Sequence, residues 1–451
     1  MGLMRSLLER ARDTLREDPT LRSVLTNTSW LMGSSGGIIV LSAVQGVLTG
    51  RLLGAETWGM LGVALSFSMV TSRLLSFRMH EFVVKWVTHL RGDGTGRAET
   101  AFKLALAGDV GSSLIAFGIV ELLAGWGATA FAKNPDFAWV FRSMALIIVF
   151  QAGQESLIGI MHVNRDFRAR SLVQAGSQAL SVVGVGVVFV AGGDVRGVVG
   201  VLVGAAALTS IAMWACGLRA ARAALSPGWA RQRGVGLGEL GHEMARFGFL
   251  GNLSGTLSTI MNDGDLLVLG FFRSPAEVAY YKLAKSIAQI AYLPMMPLRD
   301  AAYPEFSAAV ATRSWGEFRA LMRRGSKVMA LWLLPVSVGL VVLSPFAIGS
   351  LYGRSFLPAV PALLILLVGV NVDALLFWTR ATLLSMGEPG YPTAVSLWAA
   401  VIKYAAAVLL VPAGGYLTLA AVQSLTITGI NAMTARRTLV RLRIKESVAD
   451  G

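Results

Sequence analysis

The chain has 451 residues, 54% of them hydrophobic and only 15% charged, with 50 glycines and a mean hydropathy of +0.62. That balance excludes a soluble globular core and marks an all-α polytopic membrane protein. The net charge of +14 does not indicate nucleic acid, because the basic residues follow alternate loops and no aromatic-basic platform accompanies them.

In chain order, residues 1–23 place Leu3, Leu7, Leu8, Ala11 and Leu15 on one stripe and arginines on the other, which predicts an amphipathic helix on the inner membrane surface. No secretory leader is expected, since the first long apolar run begins near Trp30 without a small-residue cleavage site behind it. The start Met1-Gly2-Leu3-Met4-Arg5-Ser6 matches the short myristoylation pattern by chance. A spanning helix needs roughly 20 apolar residues. Twelve runs qualify, near residues 27–50, 57–78, 103–130, 137–161, 169–191, 196–218, 247–271, 275–298, 327–350, 358–384, 391–411 and 415–436. Clusters such as Arg73, Lys85 and Arg91, or Arg319, Arg323 and Arg324, fall on one side. The opposite loops carry about one basic residue each: Arg51, Lys133, Arg196, Arg273 and Arg354. The positive-inside rule then puts both termini in the cytoplasm. Asn27 and Asn252 match the glycosylation sequon but sit in or beside spans on the inner side, so neither is expected to be modified.

The longest polar gap, residues 223–245, separates an N-terminal six-helix bundle (24–222) from a C-terminal one (246–440), followed by a tail (441–451). Gly236-Leu237-Gly238-Glu239-Leu240-Gly241 in this gap is a literal GxGxxG, but no strand precedes it, and a flexible hinge between the halves is the expectation. Glycines four residues apart, Gly33/Gly37, Gly46/Gly50 and Gly251/Gly255, predict close helix packing. Pro294, Pro297 and Pro335 predict bends in spans eight and nine. The lone Cys216 reads as a packed thiol. His80, His89, His162 and His242 lack ligand spacing, so no metal or cofactor is expected, and no GxSxG, Walker A or HExxH motif occurs.

Charge inside the spans is the informative feature. The cations are Arg142, Lys282, Lys285, Arg380 and Lys403; the anions include Asp109, Glu121, Glu155, Asp263, Asp265 and Asp373. Each costs about 2.5–3.5 kcal/mol to place at mid-membrane and so must face a partner, a wet cavity or a ligand. Asp265 and Lys282 flank one short turn at equal depth, which predicts that they meet. Asp373 and Lys403, on consecutive spans, are expected to pair. These charges describe either internal ion pairs or a polar chamber between helices, with Arg142, Lys282, Lys285, Arg380 and Lys403 binding an anionic substrate and Asp263, Asp265 and Asp373 pairing with them or coupling to ions.

The stretch carrying Asp265, Gly270, Tyr281, Ala284, Pro304 and Phe306 resembles the seventh and eighth helices of bacterial polysaccharide flippases of the O-antigen type. Leu351-Tyr352-Gly353 with Pro358 is similar to their ninth-to-tenth junction, and residues 51–65 to their first outer turn. The resemblance implies the multidrug/oligosaccharidyl-lipid/polysaccharide exporter superfamily and two six-helix bundles in a V. It also implies alternating-access flipping of a polyprenyl-pyrophosphate-linked oligosaccharide, with membrane lipid and a polysaccharide polymerase or glycosyltransferase complex as partners. A cation-coupled exporter of small molecules and a non-transporting scaffold of a polysaccharide assembly complex are the alternatives.

Overall fold

The computed structural model describes residues 19–76, 79–92, 95–236, 238, 241–244, 263–293 and 295–449, with side chains from residue 37 onward except at 296, 297, 300, 301, 448 and 449. The first eighteen residues of the amphipathic segment expected over 1–23, the Asn252 sequon, the Gly251/Gly255 pair, the Pro294 bend and most of the seventh span fall outside these residues. Among the described residues all regular structure is helical. In lipid that follows from the need to satisfy every backbone amide and carbonyl within the segment itself.

The helices are α1 (Pro19–Leu75), α2 (Met79–Leu90), α3 (Arg97–Phe131), α4 (Ala138–Gln151), α5 (Gln154–Val163), α6 (Phe167–Val190) and α7 (Val195–Ala224) in the first half. The second half contains α8 (Asp265–Phe272), α9 (Pro275–Ala288), α10 (Met295–Ala311), α11 (Trp315–Leu351), α12 (Ala359–Leu375), α13 (Trp378–Ser385) and α14 (Gly390–Ala449). Local chemistry sets several boundaries. Asp166 accepts from the Ala169 amide to start α6, Asp194 from those of Arg196 and Gly197 to start α7, and Pro275 occupies the first turn of α9, where a missing N–H costs nothing.

Among the described residues, eight helical stretches are long and apolar enough to span a membrane. Two of them double back. α1 reverses at Gly54 (φ 71°, ψ 173°) and α14 at Gly415 (φ 64°, ψ −154°), backbone geometries that side-chain-bearing residues resist. The reversal in α14 is visible in its partners. Lys403 and Pro412 follow Asp265 and Arg273 along α8, whereas Ser424, Asn431 and Thr438 follow Ile365, Asp373 and Thr382 down α12 and α13. Counting each leg of α1 and α14 separately makes ten spans among the described residues, and α8 and α9 lie where the seventh and eighth spans are expected. Span four is broken between α4 and α5 at Ala152-Gly153, and span eight passes through a 3₁₀ turn at Gln289–Tyr292. α11 remains helical through Pro335 and Pro345.

One end of the bundle carries most of the arginines and lysines and is called here the basic end; the other is the sparse end. The halves meet at the sparse end. Gly59 touches Pro275 so closely that a Cβ would lie 1.8 Å from the Pro275 carbonyl oxygen, and Tyr352 fills the groove left by Gly46 and Gly50. Trp58 packs edge-on to Phe356 with centroids 5.6 Å apart, the Arg51 guanidinium donates to the Ser350 carbonyl, and the Lys133 ammonium to that of Phe271. The Gly46/Gly50 pair thus admits an aromatic ring from the other half and not, as the spacing alone suggests, a second helix backbone. At the basic end the first half closes on its own core, in which Phe82, Val83, Phe102, Leu157, Ile160 and Met213 are buried. The result is a V joined at the sparse end.

The part of the polar gap over residues 226–235 is fastened to the first half, while much of the Gly236–Gly241 stretch expected as a hinge lies outside the described residues. Glu99 accepts from the Ser226 amide and Thr100 from the Val235 amide, Lys103 donates to the Gln232 carbonyl, and Trp229 packs edge-on to Phe102. The hydrogen-bonded anchors use backbone groups of the linker, which any sequence supplies, and the Trp229 ring adds a side-chain contact.

Candidate functional site

Asp265, fully buried at the start of α8, is the hub of the intramembrane charges. Two ammonium groups meet its carboxylate. Lys403 Nζ, from the first leg of α14, lies 2.5 Å from Oδ1, and Lys285 Nζ, from α9, lies 3.3 Å from Oδ2. Tyr281 Oη donates to Oδ2 at 2.8 Å and Tyr404 Oη to Oδ1 at 3.5 Å. Tyr281 and Lys285 are one turn apart on α9, so both reach the same carboxylate from one helix face. Four donors from two helices offset the several kcal/mol that desolvating a carboxylate costs. Asp263, half-buried, sits one residue before the turn and its field reaches Lys403 and Tyr404.

The three lysines differ in access. Lys403 has no exposed side-chain surface, whereas Lys285 retains 23%. Lys282 lies on another face of α9 and crosses the seam, its ammonium 4.6 Å from the centroid of the Trp58 ring and its stem packed on Gly62. It makes no ion pair among the described residues. A desolvated cation on tryptophan gains about 2 kcal/mol, less than a buried carboxylate would provide.

Two expected pairings are corrected. Asp265 meets Lys285 and Lys403 and not Lys282, because the helical rotation between positions 282 and 285 directs only the latter toward α8. Asp373 does not meet Lys403. It accepts from Asn431 Nδ2 at 2.7 Å and from the Tyr292 hydroxyl, and Thr379 in turn donates to Asn431 Oδ1 at 3.2 Å. The first leg of α14 packs on α8 and the second on α12, so neighbours in sequence are not the neighbours in space. Arg142 and Arg380 stand apart from the hub. Arg142, 62% exposed on α4, lies 3.9 Å from Glu121, and Arg380 is exposed on α13 with no ion pair among the described residues.

A second polar cluster, not anticipated from the sequence, joins α1, α2, α5 and α6 at the basic end. His80 Nε2 lies 2.7 Å from His162 Nδ1, Arg170 Nη1 lies 3.0 Å from His162 Nε2, and Arg73 is 3.9 Å from Glu155. Asp109, buried on α3, accepts from the Ser156 amide at 3.0 Å. The two histidines are 82 residues apart, with no spacing to announce them.

The fold defined by these elements is similar to that of several solved membrane transporters. The lipid II flippase MurJ, in an inward closed conformation, superposes with a TM-score of 0.70 at 12% identity, covering 92% of each chain. An inward-facing multidrug resistance MATE family transporter of the MOP superfamily gives 0.67 at 15% identity over 91% of this chain and 95% of that one. A MOP superfamily transporter from Pyrococcus furiosus, described by a reversed polarity of its binding pocket, gives 0.60 at 14% identity over 94% and 96%. No curated protein matches the sequence. The family model of the polysaccharide biosynthesis proteins matches residues 24–310, well over half of the chain, and the protein belongs to that family.

Proposed function

We propose that the protein is a flippase that carries a polyprenyl-pyrophosphate-linked oligosaccharide from the cytoplasmic to the outer leaflet by alternating access. Family membership supports a role in polysaccharide export. The observation that carries the reading is the charge surplus at the hub: Lys282, Lys285 and Lys403 against Asp263 and Asp265. Lys403 and Asp265 neutralise one another in a sealed contact. That leaves the partly exposed Lys285 and the seam-facing Lys282 as the cations able to meet a pyrophosphate, with Lys403 acting through Asp265. Arg380 and Arg142 are proposed as outlying contacts along the path, and Asp263 and Asp373 as groups that hold cations or couple to ions.

The basic end is assigned to the cytoplasm by the positive-inside rule, which makes a V joined at the sparse end open to the cytoplasmic leaflet, where the precursor is made. The sugars enter the cleft while the polyprenyl tail stays in lipid, and rocking of the halves about the Gly59–Pro275 contact reverses access. With the cell interior negative, each net negative charge moved outward gains about 2.3 kcal/mol per 100 mV. A polymerase or glycosyltransferase complex is the proposed partner on either side of the step. Replacing Lys282 and Lys285 together by alanine is expected to abolish surface polysaccharide at a normal level of membrane-inserted protein; undiminished surface glycan would refute the site.

A further inference from the structure

The hydrogen bonds of the second cluster fix the protons of its histidines. A guanidinium only donates, so Arg170 Nη1 must donate to a lone pair on His162 Nε2. His162 then carries its proton on Nδ1, and at 2.7 Å that N–H donates to a lone pair on His80 Nε2. Both imidazoles are neutral in this arrangement, and the chain Arg170–His162–His80 ties α6 and α5 to α2. A proton arriving at His80 Nε2 removes the acceptor for His162. One arriving at His162 Nε2 sets an N–H against the Arg170 N–H. Either event breaks a link and adds charge beside a guanidinium.

The surroundings admit a proton and little else. Beside the pair lies a cavity of about 250 Å³ lined by Arg73, Ser76, His80, Glu81, Glu155 and Arg170. At about 30 Å³ per water it has room for several waters that can bring a proton from the basic end. Its arginines and glutamates balance in number, so it is not an anion site. The two ring nitrogens are at hydrogen-bond distance from each other, which leaves no space for a shared metal ion, and no group of three or more metal-ligating side chains occurs among the described residues. Among the described residues, the charged and titratable groups that bear on the pair are Arg73 from α1, Glu81 from α2, Asp109 from α3, Glu155 from α5 and Arg170 from α6, while Cys216 of α7 packs at this end of the half.

We propose that His80 and His162 form a proton-binding site whose loading releases α2 from α5 and α6, making the packing of the first half at its basic end responsive to pH. Nothing in this depends on the identity of the cargo. The test is a spin-label distance measurement on the full chain in lipid nanodiscs, with Cys216 replaced by alanine and labels at the exposed Thr88→Cys of α2 and Gln174→Cys of α6. Between about pH 8 and about pH 4, a window that extends below the ordinary imidazole range because burial and the neighbouring Arg170 disfavour a charged His162, the separation is expected to lengthen by about 2 Å or more, the scale of a helix shift. His162→Asn, and separately His80→Gln, are expected to give one distance at both pH values. An unchanged distance in the parent, or a response that survives both substitutions, overturns the proposal. Independently of any variant, nitrogen-15 spectra of histidine in the unsubstituted chain at about pH 8 are expected to show one ring with its proton on Nδ1 and its Nε2 accepting a bond from arginine; an Nε2–H tautomer at His162 also overturns it.

Discussion

Removing the hub carboxylate separates the sealed partner from the accessible one. In Asp265→Asn, Lys285 can turn its partly exposed ammonium toward the cleft, but Lys403, with no exposed side-chain surface, is left without its neutralising charge. A buried ion whose partner is deleted costs about 3–5 kcal/mol, a large share of a typical stability of about 5–15 kcal/mol. Lys285→Ala removes only the partly hydrated partner and leaves the Lys403 contact in place, so its cost is about 1 kcal/mol. Adding Lys403→Met to Asp265→Asn removes the stranded charge, and the double variant is expected to recover most of the loss, since a buried pair replaced by apolar groups is often neutral. Thermal unfolding of the four proteins in nanodiscs, followed by intrinsic fluorescence, gives the comparison. The expected order of stability is parent, Lys285→Ala, the double variant, then Asp265→Asn. If Asp265→Asn is as stable as Lys285→Ala, or if Lys403→Met fails to rescue it, the hub is not the closed ion pair described here.

Three further outcomes follow from the seam and the linker. Gly59→Val places side-chain atoms on the Pro275 carbonyl and is expected to force the halves apart at the sparse end; overpacking of this kind costs about 1–3 kcal/mol, and Arg51→Cys/Ser350→Cys cross-linking, efficient in the parent, is expected to fall sharply. Tyr352→Ala empties the groove at Gly46 and Gly50 and is expected to lower the same cross-linking yield without affecting insertion. Trp229→Ala removes the aromatic clamp on Phe102, and limited proteolysis is expected to cut the 226–235 segment faster than in the parent; equal rates would mean that the backbone hydrogen bonds alone hold the linker.

What the sequence disclosed depended on whether a signal was local. Twelve apolar runs and the alternation of basic loops are local, and the spans seen among the described residues could be read from them. Asp265 stood out because a carboxylate in an apolar run must be compensated, and so did Lys285, one span away. Lys403 was visible as an intramembrane cation, but its partner lay 138 positions earlier while Asp373 lay only 30 positions earlier, and a hairpin argument picks the nearer. The reversal at Gly415, which turns the second leg of α14 toward Asp373 through Asn431, is a backbone event that one glycine among many does not advertise. His80 and His162 were invisible as a pair for the same reason. Glycine spacing announced a close approach at Gly46 and Gly50 correctly, but which side chain fills it, Tyr352, is decided by the packing of the halves.

The most direct test follows a fluorescent polyprenyl-pyrophosphate oligosaccharide in vesicles containing the purified protein, with a membrane potential imposed in either direction. A flippase that meets the pyrophosphate with Lys282 and Lys285 should move the lipid faster when its leaflet of origin is on the negative side, and the double alanine variant should reduce this to the rate of protein-free vesicles. Movement equal in the parent and the double variant, whatever the potential, would contradict the assignment of the lysine site.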